Sequence, residues 1–536
     1  MKKACILAAG FGSRLNFSKF SNKALLPVGN RAAISIIMDS IPLDVEIVIA
    51  VNYMKEDLID YLELVEFERK IEFIEVSRIS GPGSGPGLSL MECGKALQEP
   101  FVLFACDSIP LSKINFSLDH NWIATSKEIE TINYLNVSRD LNDYVNKYYD
   151  KIRLSNEKIQ EEKISSFSGI AGIFNYSDFF NGLESQQNSL SELQVTPGLE
   201  NLIAKKIKVV DGFDWVDVGN ENKYQSYQTR LNFPNQIQKD NEFIYFEKDN
   251  TIKFFSSAKK SINMKSRIQY LNGTNPPGVE ARGRFLKHKF VQGILLSEVK
   301  EKDVMKEFLC FMNKKLWNIK SDIKIEHKSI GESFYKSKTQ DRIDLMINQN
   351  NIATESIEIN DTKIPSLENQ IKNVNWKELF NFELTFFHGD PQPENVIYSN
   401  KNWTLIDWRD TFGERVDYGD TYYDLSKIYH ALFVSGQSVR LNKFKAIILD
   451  SKSVFVDIEI QENHKLMIDE FEEWVKSRNL SLLKIRELSA LILLNIAPLH
   501  DKEYGTFLYY YGRYLLELNS RGRWINKKYD YTKNSN

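Results

Sequence analysis

Two carboxylates and an amide near the C-terminal end of the chain have the types and the spacing that phosphoryl transfer requires. Asn395 follows Asp390 after five positions, and Asp407 comes directly after an apolar segment. Strands are predicted at 396–398 and 404–406, so each polar residue lies next to a strand. In kinases, such an aspartate accepts the proton of the attacking hydroxyl, while an asparagine and a second aspartate hold the metal ion on the nucleotide phosphates. The spacing therefore predicts Asp390 as a catalytic base, and Asn395 and Asp407 as ligands of Mg²⁺.

These residues also form the motif of a known superfamily. His388-Gly389-Asp390, Asn395 and Ile406-Asp407-Trp408 resemble the aminoglycoside phosphotransferase and choline kinase superfamily, which phosphorylates small-molecule hydroxyls with ATP. The resemblance implies an α+β, two-lobed fold like that of protein kinases. It also implies that Lys253, which lies inside an apolar strand, binds the α- and β-phosphates of ATP. The alternative for Lys253 is an exposed position on an edge strand, because strand faces alternate.

A second set of residues suited to phosphate binding begins the chain. The apolar run Ala4–Ala8 is typical of a buried parallel strand, and a glycine-containing loop follows it. Glycines at the end of a strand let the backbone approach a phosphate, so that N–H groups point at its oxygens. Two cations, Arg14 and Lys23, come next and are predicted to be catalytic. The predicted nucleotide-binding residues of the loop are Ala8, Ala9, Gly10, Gly12 and Ser13.

Two further carboxylates are candidates for a second metal site. Asp107 ends the apolar strand predicted at 101–106, and ligands of open α/β sheets bind at the carboxyl ends of strands. Asp217 lies in the segment 215–219. Paired carboxylates can hold Mg²⁺ across a triphosphate, which predicts Asp107 and Asp217 as its ligands. Asp217 could instead be the N-cap of the helix predicted to begin at Glu221.

The N-terminal motifs resemble a second known family. Residues 7–15 together with 23–27 resemble the sugar-phosphate nucleotidyltransferases, which include phosphocholine cytidylyltransferases of bacterial surface-glycan pathways. The resemblance implies a Rossmann-like α/β fold and transfer of a nucleotidyl group from CTP or UTP to a phosphate, with release of pyrophosphate. It also implies that Gly85, in the glycine-rich segment 81–87, contacts the nucleotide, whereas the segment could equally be a flexible loop. One departure is Asn22, where the family usually has proline.

Composition limits the classes of function. Aromatic residues make up 12% and apolar residues 42% of the 536 residues, which predicts folded structure throughout. A net charge of -3 gives no electrostatic reason to expect nucleic acid or an anionic membrane, so small-molecule substrates are expected. No apolar run is long enough to span a bilayer, and we predict a cytoplasmic protein. The cysteines lack CxxC spacing and are predicted to be buried thiols: Cys5, Cys93, Cys106 and Cys310.

The length predicts two or three domains. We predict an α/β Rossmann-like nucleotidyltransferase domain at 1–232, a kinase-like small lobe at 240–300, and a larger lobe with a helical substrate subdomain at 301–530. The two motif sets predict a bifunctional enzyme that phosphorylates a small hydroxyl compound with ATP and couples the resulting phosphate to a nucleotide. The alternative is a single-activity nucleotidyltransferase whose kinase-like domain binds a regulatory ligand without catalysis.

The sequence leaves the acceptor open. A sugar would give an activated sugar for surface polysaccharide synthesis, whereas choline, ethanolamine or another small alcohol would give a CDP-activated group. An aromatic group could cage a quaternary ammonium ion or belong to the core, and we favour the core. It consists of Trp408, Phe412, Tyr418, Tyr422 and Tyr423. The sequence does not decide between CTP and UTP, and it leaves the oligomeric state open.

Overall fold

The structure, a computed structural model, describes residues 2–65, 69–111, 113–114, 118–126, 129–185, 191–231, 242–322, 327–350 and 352–525. Contacts divide the chain into two compact units. The first contains Met1–Gln236, Asn241–Ser256 and Arg282–Phe285, and the second contains the remaining residues. The predicted domain boundary at 232–236 and the end of the predicted larger lobe at 530 lie outside the described residues.

A large sheet organises the first unit. Its strands, in spatial order, are Val145–Asp150, Leu135–Arg139, Ser165–Ile173, Phe101–Ala105, Lys3–Leu7, Glu46–Val51 and Ile71–Glu75. The last four strands of this order are parallel to one another, and Phe101–Ala105 is antiparallel to Ser165–Ile173. Two further strands, Asn121–Ser126 and Ile207–Phe213, pair with each other, and the first of them also pairs with Ser165–Ile173.

The first strand explains how the sheet is covered on both faces. Ala4 and Ile6 belong to one apolar core and Cys5 to another, because successive side chains of a strand point to opposite faces. Helices connect the parallel strands, which confirms the predicted Rossmann-like α/β class. The helices of this unit are Ala33–Asp39, Lys55–Val65, Pro86–Cys93, Asn156–Glu161, Tyr176–Glu184, Thr196–Asn201 and Glu221–Arg230.

A hairpin that was predicted to begin the kinase-like lobe belongs by its contacts to the first unit. Its strands are Phe243–Glu247 and Asn250–Phe254. The Tyr245 hydroxyl donates to a backbone carbonyl of the first unit at 2.7 Å, and the buried Glu247 carboxylate accepts hydrogen bonds from Tyr61 and Arg31, each at 2.8 Å. These long-range contacts have no sequence signal, which is why the compact unit differs from the predicted range 240–300. Which residues act as the small lobe stays a prediction.

Within the described part of the second unit there are three small sheets. Two of them have three and four strands, and in the third Leu384–Thr385 pairs with Gly419–Asp420. The three-stranded sheet has the order Ile294–Leu295, Val396–Ser399, Asn402–Leu405. The four-stranded sheet has the order Thr362–Ile364, Ile357–Ile359, Ser453–Ile458, Phe444–Asp450. Two further strands, Glu280–Arg282 and Phe285–Lys289, fall at the division between the units.

Helices supply most of the second unit, and one apolar core joins them. They are Ala258–Ser266, Val304–Met312, His327–Gly331, Lys338–Gln349, Leu367–Lys372, Trp376–Leu379, Thr421–Phe433, Gly436–Arg440, Glu462–Ser477, Leu482–Ile496 and Lys502–Ser520. Two wider π-helical turns, Asn313–Trp317 and Glu332–Ser337, continue the second and third of these helices. This mixed content agrees with the predicted α+β class.

Two predictions from composition can be compared with the structure. Three of the four cysteines are buried free thiols, but Cys310 is exposed on the helix Val304–Met312, so the prediction of four buried thiols is wrong for this residue. Neighbouring apolar residues in the sequence did not show which face of the helix Cys310 occupies. No helix within the described residues combines the length and the apolar character needed to cross a bilayer.

Candidate active sites

The glycine-containing loop lies where the strand order of the first unit reverses. Lys3–Leu7 pairs in parallel with Glu46–Val51 on one side and with Phe101–Ala105 on the other. Leu7 is the partner of Ala105 in the register, so the loop after Leu7 and the segment that contains Asp107 leave the sheet at the same edge. Ligands of open α/β sheets bind at this kind of topological switch point.

Asn22 holds this loop in place. Its side-chain amide donates to the carbonyl of Ala8 at 3.0 Å and to the carbonyl of Tyr53 at 2.7 Å, and its oxygen accepts from the Ala24 N–H. A proline at this position would lack these bonds. Gly12 adopts a left-handed φ of 65°, which favours glycine, and an added Cβ at Gly10 would meet nothing within 4 Å.

Lys23 and Asp107 form an ion pair at this edge. The Lys23 ammonium donates to Asp107 Oδ2 at 3.0 Å, and both side chains are largely buried. Burial opposes the charge of each group, but the opposite charge outweighs it. The pKa of Lys23 is therefore raised and the pKa of Asp107 is lowered. The charge of Arg14 adds to the lowering of the Asp107 pKa, so all three predicted residues act on one another.

The two predicted metal ligands of the first unit converge at Gly219. A Cβ added to Gly219 would lie 2.8 Å from Asp107 Oδ2 and 2.9 Å from Asp217 Oδ1. The short strands Ser108–Pro110 and Trp215–Asp217 pair in antiparallel fashion and bring the carboxylates together. Glycine at 219 leaves the space between the two carboxylates open.

The alternative assignment of Asp217 is wrong. The N-cap of the helix Glu221–Arg230 is Asn220, whose side chain accepts from the Lys223 N–H at 3.0 Å. Asp217 Oδ2 instead accepts a hydrogen bond from the Tyr134 hydroxyl at 2.5 Å, and the Lys223 ammonium lies 3.5 Å from the same oxygen. No local pattern predicted Tyr134, because 83 residues separate it from Asp217.

Close packing explains the glycines around Gly85. An added Cβ at Gly85 would lie 2.5 Å from the carbonyl oxygen of Leu193, and at Gly87 it would lie 2.6 Å from that of Gln194. Gly85 also has a φ of 115°, which strongly favours glycine, and it precedes the helix Pro86–Cys93. The segment is thus packed against a neighbouring stretch of chain. Contact of Gly85 with a nucleotide stays a prediction.

A hairpin brings Asn395 and Asp407 together in the second unit. Val396 pairs with Leu405 in the antiparallel register, and the Ile406 N–H donates to the Asn395 carbonyl at 2.9 Å. The Asn395 side-chain N–H donates to the Asp390 carbonyl at 2.9 Å, which directs its amide oxygen elsewhere. Asp407 has a left-handed φ of 58°, a conformation that aspartate adopts more readily than most residues. The spacing that predicted this site is therefore local in the structure.

Lys427 is a partner of Asp390 that the sequence did not reveal. Its ammonium lies 2.9 Å from Asp390 Oδ1, and it comes from the helix Thr421–Phe433. Burial opposes the charge of Lys427, but Asp390 raises its pKa above the ordinary value. The lysine therefore stays charged beside the Asp390 carboxylate.

Two buried charged residues, Asp424 and Arg267, support residues 387–390, which we call the catalytic loop because they contain the predicted base Asp390. Asp424 accepts hydrogen bonds from the N–H groups of His388 and Gly389 at 2.8 and 2.6 Å, and from the Trp317 indole at 3.0 Å. Burial raises the pKa of Asp424 to about 6. Asp424, in the first turn of the helix Thr421–Phe433, thus supports the backbone next to Asp390.

Arg267 is the second of these residues. It is fully buried and donates to the carbonyls of Phe387 and His388 at 2.5 and 3.2 Å, and also to the carbonyl of Arg409. Its guanidinium also lies 4.1 Å from the centre of the Phe387 ring. Burial lowers the pKa of Arg267 to about 10. A lone arginine among the polar residues of 257–270 gave no sequence signal for this role.

Lys253 lies in the compact unit that does not contain Asp390. Its ammonium is 3.9 Å from the Glu242 carboxylate, and its side chain is only 15% exposed, so it does not occupy an exposed edge position. Kinases pair their phosphate-binding lysine with a glutamate, and Glu280 could have paired with Lys253 in this way. The Glu280 carboxylate instead lies 3.0 Å from the Lys287 ammonium. Binding of nucleotide phosphates by Lys253 stays a prediction.

The pairs of oxygen ligands suit Mg²⁺ with phosphates present. Among the described residues, no group of three or more histidine, cysteine, aspartate or glutamate side chains could hold a metal by itself. Mg²⁺, however, commonly uses one or two protein carboxylates and completes its shell with water and nucleotide phosphates. The open space between Asp107 and Asp217 at Gly219, and the adjacent pair Asn395 and Asp407, fit this mode.

One part of the second unit matches a known protein family. Residues 348–446 match the family model of the "Phosphotransferase enzyme family", and this range contains Asp390, Asn395 and Asp407. The kinase-like resemblance predicted from the sequence is therefore confirmed for this part. A search of curated protein sequences gave no match.

Solved nucleotidyltransferase structures are also similar to part of the chain. A UDP-glucose pyrophosphorylase complexed with UDP-glucose is 17% identical, with a TM-score of 0.36, and the match covers 43% of this chain and 98% of that one. A CTP:phosphocholine cytidylyltransferase from Streptococcus pneumoniae is 16% identical, with a TM-score of 0.34 and coverages of 43% and 99%. These structures are similar to part of the chain, whereas residues 348–446 match the phosphotransferase family model.

Proposed function

We propose that the protein is a bifunctional enzyme with a nucleotidyltransferase site in its first unit and a small-molecule kinase site in its second. The observation that carries the proposal is that each unit holds its own pair of oxygen ligands beside a buried lysine. In the first unit these are Asp107 and Asp217 with Lys23. In the second they are Asn395 and Asp407 beside Asp390, whose partner is Lys427.

In the first site, Asp107 and Asp217 would hold Mg²⁺, which would neutralise charge while an acceptor phosphate attacks the α-phosphorus of a nucleotide and expels pyrophosphate. Lys23 keeps Asp107 ionised, so this carboxylate is ready to bind a cation at neutral pH. The N–H groups of the loop from Ala9 to Ser13 would receive the triphosphate, and Arg14 would add a positive charge there. Gly85 would approach the nucleotide base.

In the second site, Asp390 would accept the proton of the acceptor hydroxyl as that oxygen attacks the γ-phosphorus of ATP, the bond from this phosphorus to the β,γ-bridging oxygen breaks, and ADP leaves. Lys427 fixes the orientation of the Asp390 carboxylate through their 2.9 Å contact. Asn395 and Asp407 would hold Mg²⁺, which would neutralise charge on the phosphates. Binding of the α- and β-phosphates by Lys253 is a separate proposal, because the contacts of Lys253 assign it to the first unit.

The two reactions suit one another, because the kinase makes the kind of phosphate that the nucleotidyltransferase consumes. CTP or UTP would be the second nucleotide, and the product would be an activated sugar or alcohol for surface polysaccharide synthesis. The family resemblances support this pathway, and a cytoplasmic location would supply both nucleotides.

Reciprocal variants test the proposal. Asp390→Asn should abolish ATP-dependent phosphorylation in a panel of sugars and amino alcohols, while pyrophosphate release from a supplied phosphorylated acceptor continues. Asp107→Asn should do the reverse. Mass spectrometry of both products, with all four nucleoside triphosphates present, reads the outcome. If wild-type protein phosphorylates no compound but releases pyrophosphate, the kinase-like domain is a ligand-binding regulatory module and the bifunctional proposal fails.

A further inference from the structure

Three basic side chains lie near the segment that contains Asp390: Lys338, Arg409 and Lys427. We call them the cation cluster, because all three are positively charged once Lys338 is protonated. Lys427 contacts the Asp390 carboxylate directly at 2.9 Å. Arg409 lies beside the catalytic loop, because a Cβ added to Gly389 would be only 2.4 Å from the Cβ of Arg409. The backbone N–H of Arg409 also donates to the carbonyl of His388 at 3.0 Å. The cluster is therefore anchored to the residues that position the catalytic base.

Two aromatic rings connect the members of the cluster. The Lys338 ammonium and the Arg409 guanidinium lie 4.6 and 5.0 Å from the centre of the same Phe334 ring. The Arg409 guanidinium also lies 5.9 Å from the centre of the Tyr423 ring. Lys427 comes one helical turn after Tyr423, so both side chains lie on the same face of their helix.

The cluster has little compensation from acids. Among the residues that the structure describes, only the Asp390 carboxylate lies within ion-pair distance of a member. Burial and the positive charges of Arg409, Lys427 and Arg342 lower the pKa of Lys338 to about 6, and Asp390 opposes this lowering only weakly. A half-buried lysine in such a field is stabilised by an anion that enters the site.

The local backbone presents Lys338 and Phe334 together. The π-helical turn Glu332–Ser337 separates His327–Gly331 from Lys338–Gln349, and π-helical turns often occur at functional sites. The extra residue of a π-turn changes which side chains face the core. Phe334 and Lys338 are four positions apart, and the Lys338 ammonium lies over the Phe334 ring.

We propose that the cation cluster binds a carboxylate or a phosphate ester on the acceptor whose hydroxyl Asp390 activates. The inference rests on the proposed kinase function and narrows its acceptor to a polyol or sugar that already bears a negative charge. A quaternary ammonium acceptor is disfavoured, because the Arg409 guanidinium already lies near the Tyr423 ring. Trp408 and Phe412 are buried in the core, so they are not available as a cage.

Matched acceptors test the inference. The panel contains glucose, glucuronate, glucose 6-phosphate and glucosamine, together with glycerol, glycerate, glycerol 3-phosphate and choline. We expect kcat/KM for an anionic member to exceed that of its neutral counterpart by about tenfold or more, as one added charge-assisted contact gives. The carboxylate and phosphate arms show which anion the cluster prefers.

Lys338→Met is the decisive variant, and Lys336→Met is its control because Lys336 is an exposed residue of the same helical segment. We expect Lys338→Met to remove the preference for anions through a higher KM for the acceptor, with the KM for ATP unchanged. Anion binding to wild-type protein at pH 7.5 should also take up a proton, because it returns Lys338 to its charged form. Calorimetry in two buffers of different ionisation enthalpy measures this uptake, which Lys338→Met should abolish.

Four outcomes separate the explanations. Preference for neutral or cationic acceptors overturns the inference and leaves the kinase proposal intact. A raised KM for ATP in Lys338→Met overturns it as well, because the cluster then serves the nucleotide. If no compound is phosphorylated, the kinase proposal fails, and thermal unfolding decides the inference. Anions should then raise the Tm of wild-type protein but not of Lys338→Met, and equal shifts would overturn the inference.

Discussion

Replacing Arg267 should inactivate the kinase site while leaving the nucleotidyltransferase site intact. Arg267 touches neither a metal ligand nor the acceptor, but it donates to the carbonyls of Phe387, His388 and Arg409. These residues flank Asp390 and Asp407 in the sequence. Arg267→Met removes all three hydrogen bonds, so the backbone next to Asp390 is no longer held in position.

The cost in stability follows from two opposing effects. Each buried carbonyl that loses its partner costs about 1–3 kcal/mol, and the His388 carbonyl keeps the Arg409 N–H as a donor. The carbonyls of Phe387 and Arg409 together therefore cost roughly 4 kcal/mol. Burial lowers the pKa of Arg267 from 12.5 to about 10. Removing this buried charge recovers about 3 kcal/mol. The net loss is on the order of 1 kcal/mol, which is smaller than the usual stability of a folded protein.

The kinase rate should fall much further than this loss of stability explains. A displacement of about 1 Å in a catalytic group lowers a rate by roughly 100-fold, and we expect that fall in kcat for phosphorylation. Arg267→Lys should not rescue it, because an ammonium keeps the buried charge and lacks the planar fork of donors. Pyrophosphate release by the first unit serves as the internal control for folding. Unchanged phosphorylation in Arg267→Met, or a parallel loss of both activities, would refute the reasoning.

Three further predictions use other residues. Gly219→Ala should lower nucleotidyl transfer by about tenfold or more and raise the Mg²⁺ concentration that it requires, because the new Cβ would crowd Asp107 and Asp217. Phosphorylation should be unaffected. An unchanged Mg²⁺ dependence would contradict a metal site shared by Asp107 and Asp217. Asp424→Asn should lower phosphorylation but not nucleotidyl transfer, because one amide oxygen cannot accept the bonds that two carboxylate oxygens accept; equal kcat for both proteins would count against this role. Burial lowers the pKa of His430 to about 3. As the pH falls, the His430 imidazole therefore takes up a proton in the unfolded chain before it does so in the folded protein. The stability that neutral His430 contributes above pH 6.5 is lost on acidification. Between pH 6.5 and 5, urea titrations should show that His430→Gln loses about 2 kcal/mol less unfolding free energy than wild-type protein, and identical slopes would refute this.

Local spacing was enough to predict part of each site. Asp390, Asn395 and Asp407 were predicted together because one hairpin carries them, and a hairpin fixes the positions of residues that are close in sequence. Asp107 and Asp217 were predicted from strand ends and motif resemblance. That they meet at Gly219 depends on the pairing of two short strands more than a hundred positions apart, which only the structure shows.

The supporting residues had no such signal. Arg267 directly follows the helix Ala258–Ser266, and Lys427 lies in the helix Thr421–Phe433. Both segments have ordinary amphipathic sequences, so nothing in the neighbouring residues indicates a contact with the catalytic loop. The hairpin that contains Lys253 shows the same limit. Its alternating apolar residues correctly predicted two strands, but the strand pattern does not specify the surface on which they pack. Long-range contacts determine the positions of both the supporting residues and the hairpin, and such contacts cannot be deduced from neighbouring residues.

One labelling experiment tests most directly whether the chain catalyses both steps. Wild-type protein is given ATP with ¹⁸O in its γ-phosphate, unlabelled CTP and UTP, Mg²⁺ and the preferred acceptor. The account predicts a nucleotide-linked product whose acceptor-side phosphate carries the label, and it predicts that Asp390→Asn forms this product only from a supplied phosphorylated acceptor. Absence of label from the nucleotide-linked product, or labelled product from Asp390→Asn, would contradict the account.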